Sequence, residues 1–290
     1  GKEFMSQALS SLLSILQLER IEKNLFRGES QDIGLRQVFG GQVIGQSLSA
    51  ALQTLSPEQQ RMAHSFHSFF LLPGDSSKPI IYDVENLRDG KSFSARRVTA
   101  IQDGKALFYM TASFQKQENG MEFQQPMPIV TPPDTLLNEN EHLSKIVTDL
   151  PGKTQALFLR EKAIEMRPVK FYSPLGYEKS EPINDVWLKS NGNVPSDEKT
   201  HQLLLSYASD YTLLPTALQP HGLGLLQPEV QIATINHAMW FHRPFNIQEW
   251  LLYHCQCLST SGSRALVQGQ FFTQDGTLVA STMQEGVIRN

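Results

Sequence analysis

Hydrophobic and polar positions along the chain fall into two similar series. In the first, a short strand is predicted near 22–28. A glycine pair, Gly40-Gly41, then leads into an apolar helix from 42 to about 55. Four strand-like runs follow near 62–72, 79–87, 92–102 and 106–116, rich in apolar and β-branched residues and bounded by Gly, Pro and Asp. The second series has strands near 165–173 and 184–190 and a helix from 197 to about 210. Four more strands follow near 229–242, 249–259, 263–273 and 277–288. Residues 117–163 break the pattern with Pro126, Pro128, Pro132, Pro133 and Pro151. They read as a connector with short helices over 139–148 and 153–164.

Local residue patterns repeat as well. Gln102-Asp103-Gly104 and Gln274-Asp275-Gly276 both separate the last two strands of their series, where Asp-Gly favours a hairpin turn. The strands that follow, LFYMTASFQ (107–115) and LVASTMQ (278–284), both end in glutamine, and FHSFFLLP (66–73) parallels MWFHRP (239–244). The pattern predicts an α+β fold made by duplication, a double hotdog in which each repeat wraps a curved antiparallel sheet around one central helix. Joining the two sheets edge to edge removes two exposed edges. The expected units are 5–120, a connector over 121–163, and 164–290.

Composition narrows the function. The chain has 290 residues, enough for about two domains, and is 40% hydrophobic and 19% charged, a globular balance. A net charge of −4 gives no general attraction to nucleic acid or anionic membranes. No run of 18 apolar residues predicts a membrane span. Gly1-Lys2-Glu3-Phe4 ahead of Met5 reads as an expression remnant. No leader is apparent after Met5, so a cytoplasmic location is expected. Cys255 and Cys257 share one strand face and read as buried thiols rather than a disulfide framework or a zinc site.

One stretch raises a chemical question. LLLSYASDYTLLP (203–215) holds a single formal charge, Asp210. Ser196 is the expected N-cap of this helix, with Asp197 and Glu198 in its first turn, and Leu203, Leu204, Tyr207 and Ala208 facing the core. Asp210 then falls at the C-terminal end, where the helix dipole disfavours a carboxylate. It is either a solvated turn residue or a group kept for chemistry. Gln284 ends a face shared with Leu278, Ala280 and Thr282. Strict alternation puts Thr234 with Ile232, Asn236, Ala238 and Trp240. No G-x-S-x-G elbow or Walker loop occurs, and HGLGLL (221–226) lacks the third glycine of a dinucleotide fold. His64, His67, His237 and His242 read as strand histidines, and no metal is expected.

The stretches LFRGES (25–30), LRQVFGGQVIGQ (35–46), HSFHSFFLLPGD (64–75), YDVENLRDGKSFSARR (82–97), SYASDYTLLP (206–215), ATINHAMWFHRPF (233–245) and ASTMQEGVIR (280–289) resemble the acyl-CoA thioesterase II family, which also includes peroxisomal acyl-CoA thioesterases. The resemblance runs nearly from Met5 to the C-terminus. It implies a double-hotdog enzyme that hydrolyses medium- and long-chain fatty acyl-CoA without a cofactor, as a homo-oligomer, dimer or tetramer. It also implies that Asp210, Thr234 and Gln284 are catalytic, with Asp210 acting on water. The loop containing Arg88, Lys91 and Ser92 resembles basic loops near the nucleotide in other hotdog thioesterases, and Arg243 and Arg264 are further basic candidates. Gly40 and Gly41 either let a ligand approach the backbone or form a tight turn. An acyl-thioester hydratase or dehydratase and a non-catalytic acyl-CoA-binding module remain the alternatives. Burial raises the pKa of Asp210 and hydrogen-bond donors lower it, so the net sign is open at this level.

Overall fold

A computed structural model describes residues 4–290; Gly1, Lys2 and Glu3 of the expected remnant lie outside the described residues. Helix α1 (Gln7–Leu16) is capped by the Ser6 hydroxyl, which accepts from the Leu9 amide, and buries Leu9, Leu12 and Leu16. The hairpin of β1 (Glu19–Glu22) and β2 (Leu25–Gly28) follows. Then come α2 (Gly40–Gln53), β3 (Arg61–Phe70), β4 (Ile80–Asp89), β5 (Phe93–Gln102) and β6 (Lys105–Lys116). The connector carries α3 (Glu139–Ser144) and α4 (Gly152–Leu159). The second half runs β7 (Ile164–Pro168), β8 (Ile183–Ser190), α5 (Glu198–Ala208), a 3-10 stretch (Leu214–His221), β9 (Gln231–Phe241), β10 (Leu251–Ser261), β11 (Arg264–Thr273) and β12 (Leu278–Arg289).

All twelve strands join one antiparallel sheet in the order β1-β2-β4-β5-β6-β3-β9-β12-β11-β10-β8-β7. The halves meet where β3 pairs with β9, from Ser65 opposite Trp240 to Phe69 opposite Asn236. The fold is therefore the α+β double hotdog that the repeat predicts. The two central helices pack antiparallel inside the curl through small residues. A methyl group at Gly41 would stand 2.4 Å from the Tyr207 carbonyl oxygen. One at Gly45 would stand 2.9 Å from Leu16 Cδ2 and 3.7 Å from the Leu203 carbonyl oxygen. Gly41 thus lets backbone approach backbone, and Gly45 makes room for the Leu16 side chain of α1.

The structure departs from the sequence reading at several boundaries. Helix α1 is not foreseen by the pattern, and the single strand expected near 22–28 is the β1–β2 hairpin. The helix predicted over 139–148 stops at Ser144, before a 3-10 turn at Val147–Asp149. The helix predicted over 153–164 stops at Leu159, because Ala163 and Ile164 bury themselves in the core as β7 begins. The helix α5 is capped by Asp197 rather than Ser196: its carboxylate accepts from the Thr200 amide at 3.1 Å and the Thr200 hydroxyl at 2.7 Å. The two Asp-Gly turns also differ. Asp103 and Gly104 both have positive φ and close a two-residue hairpin, whereas at the second only Gly276 does and the loop is longer.

Candidate active site

Asp210 lies just past the C-terminus of α5, and the turn carries its side chain to the N-terminus of α2. A methyl group at Gly40 would stand 2.5 Å from Asp210 Oδ2 and 3.2 Å from the Phe70 ring. Gly40 is therefore the residue that makes room for the carboxylate. The first-turn amides of α2 put the positive end of a helix dipole next to it. Asp210 keeps some solvent-accessible surface while protein atoms crowd its carboxyl group. Desolvation dominates and pushes its pKa up from 3.8 to about 7, with the Gln284 amide pulling weakly the other way. This decides the sign that sequence leaves open.

Gln284, fully buried on β12, donates from Nε2 to the Thr234 hydroxyl at 2.8 Å. Ala280 and Thr282 share its buried face, as alternation predicts, but Leu278 does not: the pairing with β11 shifts at Val279 and turns Leu278 to the opposite face, against Trp187, Leu252 and Phe272. Thr234 is the exception to alternation. The pairing of β9 with β12 shifts between Asn236 opposite Glu285 and Thr234 opposite Gly286, which leaves Ile235 as an extra residue. This bulge moves Thr234 off the face of Asn236, Ala238 and Trp240 and onto the inner face of His237, Met239 and Phe241. Without it the Thr234 hydroxyl would point away from Gln284.

Behind these residues lies a buried polar network whose members sequence reasoning reads as ordinary strand and helix residues. His237 Nδ1 is 2.7 Å from Gln284 Oε1, and His237 Nε2 is 2.9 Å from Ser209 Oγ. Tyr253 donates its hydroxyl proton to the Ser209 carbonyl at 2.8 Å, so it accepts from the Thr282 hydroxyl, also at 2.8 Å. Burial lowers the His237 pKa to about 4, so the ring is neutral near pH 7. The available sequence signal is parity: once the bulge is known, His237 shares the face of Thr234.

Asp210, Thr234, Gln284 and Gly40 therefore gather at one place. Gly41 adjoins it, with its space filled by Tyr207 and Phe39, so that contact accounts for glycine there. Arg88, Lys91 and Ser92 do not belong to this cluster. They lie around the β4–β5 turn, which is tied to the far end of α2 where Arg96 donates to Thr54 at 2.8 Å, roughly 20 Å along the helix from Gly40. Their placement follows from the hairpin, whose tip stands beyond the α2 C-terminus. Arg243 is held by Glu122 at 2.7 Å, and Arg264 by Glu285 at 3.3 Å. His201, on the face of α5 away from its C-terminus, accepts from the Ile247 amide and bonds the Pro195 carbonyl, a structural role. A cavity of about 180 Å³ opens beside Tyr211 and Thr212, lined by Leu143, Phe158, Phe171, Val186 and Leu218 among others.

Known proteins match this chain over nearly its whole length. The profile of the family described as acyl-CoA thioesterase matches residues 153–287, and that of its N-terminal domain matches 27–115. The chain is 47% identical to acyl-CoA thioesterase 2 of Haemophilus influenzae over 285 residues, covering 98% of this chain and 99% of that protein. It is 38% identical to human acyl-coenzyme A thioesterase 8, covering 95% and 88%. The crystal structure of an acyl-CoA thioesterase II from Mycobacterium marinum superposes with a TM-score of 0.77 at 38% identity, covering 96% and 98%. The fold, the near-complete coverage and the level of identity together place this chain in the acyl-CoA thioesterase family.

Proposed function

We propose that the chain hydrolyses medium- and long-chain fatty acyl-CoA by direct attack of water, with Asp210 as general base. The observation that carries this reading is the meeting of Asp210, Gln284 and Thr234 around a partly accessible carboxylate whose pKa lies near 7. A base with that pKa is half ionised at neutral pH and can still take a proton from water effectively. With its Nε2 donating to Thr234, Gln284 leaves the threonine its own proton to direct at the carboxylate or the attacking water. A thioester needs no covalent enzyme intermediate, since its carbonyl is electrophilic and a thiolate leaves readily. The α2 first-turn amides at Gly40 and Gly41 suit the developing oxyanion.

The apolar cavity beside Tyr211 and Thr212 suits the acyl chain. His201 speaks against a hydratase: both ring nitrogens are bound to backbone groups. Residues 5–120 and 164–290 serve as the two hotdog units and 121–163 as their connector, a division supported by the profile spans 27–115 and 153–287. No helix among the described residues is long and apolar enough to cross a membrane, and a cytoplasmic location fits this reading. Assembly as a dimer or tetramer is supported by Phe69, Leu71 and Leu72, which stay exposed at the end of β3.

The test is CoA thiol release from decanoyl- and palmitoyl-CoA by the wild type and by Asp210→Asn. The variant is expected to keep its fold and KM while kcat falls by about two orders of magnitude or more. Full activity in Asp210→Asn rules out the base assignment, and thiol-free binding by the wild type rules out hydrolysis.

A further inference from the structure

Resting on that reading, we propose that the connector carries the chain-length specificity of the enzyme: Phe158 of α4 and Leu143 of α3 form the wall that decides how long an acyl chain the cavity beside Asp210 admits. The cavity is bordered by Tyr211 and Thr212, the two residues that follow Asp210. Val186 and Leu218 of the second half line it together with Leu143 and Phe158 of the connector. At about 180 Å³ it is small beside the roughly 300–1,000 Å³ of common ligand pockets, so one large side chain in its wall changes its capacity appreciably.

What fits this space is hydrocarbon, because polar side chains in the wall are already engaged. Tyr207 gives its one hydroxyl proton to Gln31 Oε1 at 2.9 Å, so Tyr211 donates to the Tyr207 oxygen at 3.0 Å. Thr212 Oγ1 lies against Cys255 Sγ at 3.7 Å, and Gln219 Nε2 donates to the carbonyls of Glu181 and Ile183 at 3.0 and 2.7 Å. The connector wall is also held in place. Lys162 Nζ donates to the Phe158 carbonyl at 2.8 Å and to Asn140 Oδ1, and lies 3.9 Å from the Glu139 carboxylate, so it ties α4 to α3. Helix α3 in turn stacks His142 on Phe171 of the second half, with ring centres 4.6 Å apart and planes 5° from parallel, and Phe171 itself lines the cavity. The charges of Glu139 and Arg160 reach Tyr211, which puts this frame next to the residue after Asp210. Phe158 therefore presents its ring from a braced frame rather than from a free loop.

The experiment measures kcat/KM for thiol release across straight-chain acyl-CoA from butyryl to stearoyl, each below its critical micelle concentration. In the wild type the value is expected to rise about fourfold for each methylene that enters the cavity, and to stop rising where the cavity is full. Phe158→Ala removes the ring and should move that break to longer chains by about two carbons or more, raising kcat/KM for palmitoyl-CoA about tenfold relative to decanoyl-CoA. Phe158→Trp should move the break to shorter chains. Both variants should leave butyryl-CoA hydrolysis unchanged. A break that stays in place in both, or moves the same way in both, overturns the proposal, and so does a wild type without a break. If circular dichroism shows that Phe158→Ala does not fold, Phe158→Leu makes the same test with a smaller truncation. Hydrolysis that persists in the variants with an unmoved break strikes the connector wall alone. A wild type that releases no thiol from any chain length strikes acyl-CoA hydrolysis itself, and this proposal with it.

Discussion

Asp210 and His237 are two buried titratable groups whose effects on stability run in opposite directions. The carboxyl has a folded pKa near 7 against 3.8 when unfolded. Between these values the folded state binds more protons, so its stabilising effect is full below pH 3.8 and is lost as pH rises through 7. The size is on the order of 4 kcal/mol at most. His237 has its pKa lowered to about 4 from 6.5. There the unfolded chain binds more protons, so stability is full above pH 6.5 and is lost as pH falls toward 4. The two largely offset between pH 4 and 6.5. Asp210→Asn removes one of them, so its melting temperature should exceed that of the wild type by several degrees at pH 8. The gap should narrow as pH falls, and the variant should lose stability more steeply below pH 6.5. Differential scanning calorimetry across pH 4–8 checks this, and a gap that does not depend on pH would contradict it. The lone carboxylate was legible in LLLSYASDYTLLP because an acidic group in an apolar stretch needs a reason. Its pKa was not legible, since desolvation depends on parts of the chain far away in sequence, such as the α2 N-terminus at Gly40.

At the scale of elements, a helix end and a strand irregularity build the site. The N-terminus of α2 closes on Asp210 only because Gly40 has no side chain. Gly40→Ala puts a methyl where Oδ2 now lies, so the carboxylate must move; kcat should fall about tenfold or more while circular dichroism stays that of the wild type. Unchanged kcat would mean that the carboxylate position is not critical. On β9, the extra residue Ile235 turns Thr234 inward. Period-two reading cannot show this, because a bulge is a pairing property and leaves no mark in one strand alone. The same reading placed Gln284 correctly, since β12 is regular between Ala280 and Glu285. The basic loop at 88–92 shows a related limit: charge and glycine identify a loop, but only the pairing of β4 with β5 tells which end of α2 it reaches. The cavity beside Tyr211 gives a further expectation. Val186→Phe fills its wall, and kcat/KM for palmitoyl-CoA should drop about tenfold relative to a short-chain substrate. Equal loss on both substrates would place the acyl chain elsewhere.

Across the whole molecule, the duplication was plain in the sequence because each repeat carries one apolar helix and four strands, with the same Gln-Asp-Gly sequence before the last strand. The additions at the margins were not. The helix α1 is held by contacts such as Gln46 donating to the Ile15 carbonyl at 2.9 Å and Ser49 to the Leu16 carbonyl at 2.7 Å, and the hairpin β1–β2 by the pairing of β2 with β4. The two halves are also not independent. They share the β3–β9 pairing and the glycine-mediated contact of α2 with α5, and the candidate site takes Gly40 from one half and Asp210, Thr234 and Gln284 from the other. A single cooperative unfolding transition is therefore expected in calorimetry; two separable transitions would contradict a shared core.

The proposed hydrolysis turns on a partly accessible aspartate whose ionisation, set near neutrality by its surroundings, switches on attack by water. The most direct test is the pH dependence of kcat/KM for acyl-CoA hydrolysis by the unmodified chain, which reports the ionisation of the free enzyme. The predicted result is activity that falls below a midpoint near pH 7, with that limb absent from any residual activity of Asp210→Asn. Activity that stays level down to about pH 5, as an ordinary exposed aspartate would allow, contradicts it.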